Sequence, residues 1–89
     1  ASKEWIQRQY DHEVQGGSAL KLFLGANDDG RGDAAVVKPL LDRKEGIAIA
    51  AGFSPKYSKI DAYHMAAASL DEAIRRVISV GASLGQIAL

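Results

Sequence analysis

The chain has no cysteine, so neither disulfides nor thiolate metal sites are open to it. Its histidines are two, His12 and His64, too few and too isolated for a zinc site. Neither sign of charge is in excess, because 11 basic residues balance 11 acidic ones. That balance argues against a nucleic-acid footprint and against a polybasic membrane anchor. No apolar run approaches the roughly 18 residues of a membrane helix, and no signal peptide is visible. The expectation is a cytoplasmic domain with no nucleic-acid or membrane partner. Internal repeats and low-complexity tracts are missing too. No serine stands in the strand–turn–helix context that makes a nucleophile. What remains, at 89 residues, is one small domain spanning 1–89, with a limited core that calls for a staple or a partner.

What is present is organised around DAYHMAAASLDEAIRRVISVG, residues 61–81. Ala66, Ala67, Leu70, Ile74, Val77 and Ile78 recur at the three-and-four spacing of a helix with one buried stripe. Asp61 reads as its N-cap and Gly81 as its C′ residue. Met65, Ser69, Glu72 and Arg76 share another face. Asp71 with Arg75 and Glu72 with Arg76 are acid-before-base pairs at i,i+4, ordinarily solvent-side stabilisers. The small residues Ala66 to Ala68 would let another backbone or a flat ligand come close.

Taken from the start, residues 2–9 read as a short amphipathic helix carrying Trp5 and Ile6. His12 reads as a surface or hydrogen-bonding histidine. Gly16-Gly17 marks a bend before a strand at 19–24. Residues 25–32 read as a mobile, glycine-rich connector; no Gly-Lys-Ser/Thr follows, so it is not a Walker loop. Asp33 opens a strand at 34–38 that Pro39 ends. An aspartate there either helps hold a phosphate-bound magnesium or turns onto nearby amides. Residues 40–45 form a polar link, 46–52 a strand, and 53–60 a loop leading to the Asp61 cap. Gln86-Ile87-Ala88-Leu89 reads as the start of a buried strand, and the expectation is a piece of a longer chain. The order of elements predicts an α/β or α+β domain of two layers, a mixed or antiparallel sheet with the long helix packed on one face.

Four stretches in order carry a resemblance: YDHEVQ (10–15), DGRGDAAVVKP (29–39), GIAIAAGFSPKY (46–57) and IDAYHMAAASLDEAIRRVISVGA (60–82). Together they resemble phosphoribosylformylglycinamidine synthase, in its large synthetase subunit. The match is to the second N-terminal-type domain of the aminoimidazole ribonucleotide synthetase superfamily, whose fold is thereby implied. The resemblance implies a ligase of purine biosynthesis that uses ATP and glutamine-derived ammonia to convert formylglycinamide ribonucleotide to formylglycinamidine ribonucleotide. Its implied partners are the remaining domains of the synthetase and a glutaminase subunit or domain.

In some family members this half holds an auxiliary nucleotide, ATP or ADP, with magnesium. The positions matching that site are Asp33 and Glu72, as metal ligands, with Arg76 beside them. The family commonly has asparagine where Arg76 stands. A cation one turn from Glu72 competes with Mg²⁺ for its carboxylate. The expectation is therefore a pairing of Glu72 with Arg76, no nucleotide or metal held, and no catalytic residue or turnover in this piece alone. The family also favours proline after the capping aspartate, where this chain has Ala62, which costs rigidity only. A homodimer through Val36, Ile47, Ile49 or their strand neighbours is expected. Two other readings stay open: a stand-alone nucleotide-binding or regulatory module, and a structural dimerisation domain.

Overall fold

The computed structural model describes residues 2–11 and 13–89, so the reading of His12 lies outside the described residues. The elements are α1 (Glu4–Gln7), β1 (Ser18–Leu20), β2 (Phe23–Leu24), β3 (Gly30–Arg31), β4 (Ala35–Val37), β5 (Ile47–Ile49), a 3-10 helix (Pro55–Lys59) and α2 (Ala62–Ser79). The fold is α+β: two small antiparallel sheets and one long helix.

β4 is the centre of the larger sheet, in the order β1-β4-β5. Its Ala-Val-Val and the Ile-Ala-Ile of β5 suit a pleated surface, where branched side chains pack on their neighbours. The register pairs Ala35 with Ile49, Val36 with Ala48 and Val37 with Ile47. Lys38 N–H still donates to Gly17 O at 2.7 Å, and Pro39 after it has no N–H to extend the pairing. β1 pairs with β4 through a register shift between Ser18 and Leu20. The bend before it is built from Val14, Gln15 and Gly16, all at positive φ (48°, 54° and 83°). Asp11 makes that bend accessible to residues other than glycine: its carboxylate accepts from Glu13 N at 2.8 Å and from Gln15 N at 2.9 Å.

Residues 19–24 do not form one strand. The chain leaves the larger sheet after Leu20 and pairs again from Phe23, now with Arg31, while Leu24 meets Gly30. The stretch at 25–32 is therefore a closed hairpin and not a free connector. Gly25 (φ 92°) and Asp28 (φ 50°) supply its left-handed turns. Phe23, 5% exposed, and Ala34, 7% exposed, are the buried hydrophobic side chains among the described residues. α1 docks here: the Arg8 guanidinium lies 4.4 Å from the Phe23 ring centroid and donates to Asp28 O at 3.0 Å. Glu4 holds the same guanidinium at 2.6 Å.

α2 begins and ends where its caps require. Asp61 is extended (φ −162°, ψ 129°), and its side chain accepts from Tyr63 N at 3.4 Å and His64 N at 3.1 Å. At the other end Gly81 stands at φ 96°, its N–H on Ile78 O at 2.9 Å, and Ala82 N on Val77 O at 3.1 Å. That bond pair is a Schellman closure.

Only part of the apolar stripe that periodicity selected turns inward: Ile74 and Val77 are half-buried. Ala66, Ala67, Leu70 and Ile78 are exposed, whereas Met65, Ser69, Glu72 and Arg76 are half-buried. The polar face meets the chain segment leaving β5, and the 3-10 helix packs beside it. The helix stands off from the sheet, leaving a cleft of about 710 Å³ between them. The radius of gyration is accordingly 14.9 Å, against about 12 Å for a compact chain of this length. Residues 86–89 lie along that cleft as irregular chain, not as a strand. No helix among the described residues is long and apolar enough to cross a membrane.

Candidate functional site on the polar face of the long helix

Ser69, Glu72 and Arg76 follow one another at three- and four-residue steps, so they rise along one side of α2. That side is crossed by the backbone of residues 51–54. Crossing is close because residue 52 is glycine: a Cβ there would stand 1.7 Å from Ser69 O. The backbone groups of the crossing segment have left the ladder and need other partners. The helix supplies them. Arg76 Nη1 donates to Ala51 O at 2.8 Å, Phe53 N donates to Glu72 Oε2 at 3.1 Å, and Ser54 N donates to Ser69 Oγ at 3.2 Å. Arg76 Nη2 donates to Glu72 Oε1, which closes the pair.

Of the sequence-predicted site residues, Glu72 and Arg76 are thus brought together. Both oxygens of Glu72 are engaged, one by a guanidinium and one by an amide N–H. The pair is half-buried, with side-chain exposures of 34% for Glu72 and 39% for Arg76. Asp33 is exposed in the turn between β3 and β4, and no hydrogen bond or ion pair joins it to Glu72 or Arg76. Among the described residues no group of three or more His, Asp or Glu is placed to hold a metal ion. The neighbouring pair, Arg75 and Asp71, meets at 2.6 Å on the solvent side. Asp71 holds the Arg75 guanidinium above its ordinary pKa by a hydrogen bond and by charge.

Sequence reasoning placed Ser69 on the face of Glu72 and Arg76 but missed that Gly52 takes part. The signal available was a glycine at the end of a strand, which often marks close approach of another backbone. The cleft between sheet and helix carries no chemistry of its own. It is lined by Val36, Ala48, Ile74, Val77, Val80 and Ile87 among others, without an acidic, basic or histidine side chain.

No family model and no solved structure matches the chain. Curated sequences do. The chain is 43% identical over 82 residues to the phosphoribosylformylglycinamidine synthase subunit PurL of Methanothermobacter marburgensis, covering 92% of this chain and 10% of that one. Against the same subunit of Ignicoccus hospitalis it is 44% identical over 82 residues, with the same coverage of 92% and 10%. Against that of Thermoplasma volcanium the figures are 39% over 77 residues, 85% and 10%. The fold and the site define an α+β domain whose long helix engages its Glu72 carboxylate with Arg76 and with the backbone N–H of Phe53. By sequence, that domain corresponds to a segment of the phosphoribosylformylglycinamidine synthase subunit PurL. The chain spans about a tenth of the length of these relatives.

Proposed function

We propose that this chain is an architectural segment of the ATP-dependent amide ligase of purine biosynthesis, lining the active cleft without supplying a catalytic residue. In that reaction ATP activates the amide oxygen of formylglycinamide ribonucleotide and ammonia displaces phosphate. The protein's part is to position reactants and neutralise developing charge. In this reading the domains that do so belong to the rest of the synthetase, and ammonia comes from a glutaminase domain or subunit. The setting is cytoplasmic.

The observation that carries the architectural reading is the state of Glu72. One oxygen accepts from Arg76 and the other from Phe53 N–H. A magnesium-bound nucleotide needs that carboxylate free of a competing cation. Asp33 is not joined to Glu72. The residues present do not fit a divalent ion at Glu72, so no step passes through one. The nucleotide site implied by Asp33, Glu72 and Arg76 is in this reading degenerate.

Calorimetry with Mg²⁺ and ADP tests the proposal, with turnover of formylglycinamide ribonucleotide measured alongside. No saturable heat at millimolar ligand and no product above a buffer control are expected. Stoichiometric nucleotide binding that disappears in Glu72→Gln would replace the architectural reading with that of a nucleotide-binding module.

A further inference from the structure

We infer that Arg76 is the resident cation of the Glu72 seat: its guanidinium fills the space between the Glu72 carboxylate and the Ala51 carbonyl that a hard divalent ion would otherwise take. This deepens the proposed function and rests on its reading of Glu72 as lost to magnesium. The oxygen pair is of the kind that hard cations use, one carboxylate and one backbone carbonyl. The two oxygens come from different elements, the helix α2 and the segment leaving β5. Whatever cation sits between them also ties those elements together.

A guanidinium does this by directed bonds. Its planar fork sends Nη2 to Glu72 Oε1 and Nη1 to Ala51 O at 2.8 Å. It is covalently part of α2 and cannot dissociate, so the tie does not depend on the concentration of a free cation. Phe53 N–H, on the other carboxylate oxygen at 3.1 Å, fixes the orientation of the carboxylate. Arg75 is the internal comparison. It has the same spacing to Asp71, but that pair lies within the helix and is exposed, at 76% and 61% of the side chains. Only position 76 combines a carboxylate with a carbonyl across α2 and the segment leaving β5 among the described residues.

Thermal melting of the 89-residue chain, followed by circular dichroism in millimolar Mg²⁺ or in EDTA, tests the inference. Wild type should melt at the same temperature in both. Arg76→Ala should melt lower in EDTA, by roughly 4–8 °C, and regain part of that loss in Mg²⁺ or Ca²⁺. The double variant Glu72→Gln/Arg76→Ala should regain nothing, because the carboxylate is gone. An Arg76→Ala variant that melts like wild type, or that ignores divalent ions as the double variant does, would overturn the inference. Should Arg76→Ala not fold, Arg76→Lys decides. Its single ammonium replaces the charge but not the two-acceptor fork, so it should melt below wild type in EDTA, and equality would overturn the inference. Failure here is distinct from failure of the proposed function, which would appear as nucleotide binding by wild type.

Discussion

The α-carbon of Gly52 lies against the carbonyl oxygen of Ser69, so near that a Cβ on residue 52 would stand 1.7 Å from it and 3.0 Å from Ala73 N. The obstacle is helix backbone, which cannot swing aside as a side-chain tip can. Gly52→Ala should therefore push residues 51–54 off α2 and loosen the bonds to Ser69, Glu72 and Arg76 together. The expected cost is about 1–3 kcal/mol or more, by analogy with overpacked cores. Urea unfolding monitored by helix signal checks this. A variant of unchanged midpoint would mean that the crossing is not closely packed.

The Asp61 cap carries a pH dependence of definite sign. Its carboxyl is held below its ordinary value of 3.8, first by the hydrogen bond from the His64 ring, then by the His64 and Tyr63 backbone N–H groups. A depressed folded pKa means that the stabilisation is fully present above 3.8 and is lost as pH falls through the lower folded value. Asp61→Asn keeps a capping oxygen but does not titrate. The stability difference between wild type and Asp61→Asn should be constant near neutrality and shrink on acidification below 3.8. Melting temperatures of both proteins across an acid series measure it. A difference that grows with acid would contradict the assignment.

At the other end of α2, a Cβ added to Gly81 would meet no atom within 4 Å, so a side chain there faces only its own backbone strain. At φ 96° that strain is expected to cost about 1–3 kcal/mol for Gly81→Ala. Because no contact is disturbed, the denaturant slope should stay fixed while the midpoint falls. A changed slope would indicate that the Schellman closure does more than end the helix.

The caps at Asp61 and Gly81, the pairing of Glu72 with Arg76 and the strands at 35–37 and 47–49 were legible because each follows from neighbours in sequence. Cap chemistry, i,i+4 spacing and branched residues are local signals. That the polar face of α2 also turns inward was not legible. Periodicity ranks faces by hydrophobicity, and here a backbone segment 15 to 25 residues away claims the polar face through hydrogen bonds. The hairpin of Phe23 with Arg31 was hidden for a related reason: glycines that permit a loop also permit its closure. Irregular chain at 86–89 stands where apolar composition suggested a strand. Composition identifies a side chain that wants burial, but pairing requires a partner edge.

Register also amends the expected docking surface, and with it the last prediction. Residues directly opposite in an antiparallel pair share a face. Val37, Ile47, Ala35 and Ile49 therefore lie on one face, and Val36 and Ala48 on the other. Of the expected residues and their strand neighbours, Val37 rather than Val36 stands beside Ile47. Ile47 and Ile49 are 54% and 56% exposed, so this face holds apolar area in water at about 25 cal/mol per Å². Association entropy offsets much of what burial would return. A two-fold pairing of this face with a second copy closes without leaving further edges, which makes a homodimer the expected state of the isolated chain. Light scattering over a broad dilution series should follow a monomer–dimer equilibrium, and Ile47→Asp should weaken it while the circular dichroism stays that of wild type. Val36→Thr, on the opposite face, should leave the equilibrium where it was. A chain that remains monomeric at every concentration, or a folded Ile47→Asp variant of unchanged mass, would exclude this face as the site of self-association.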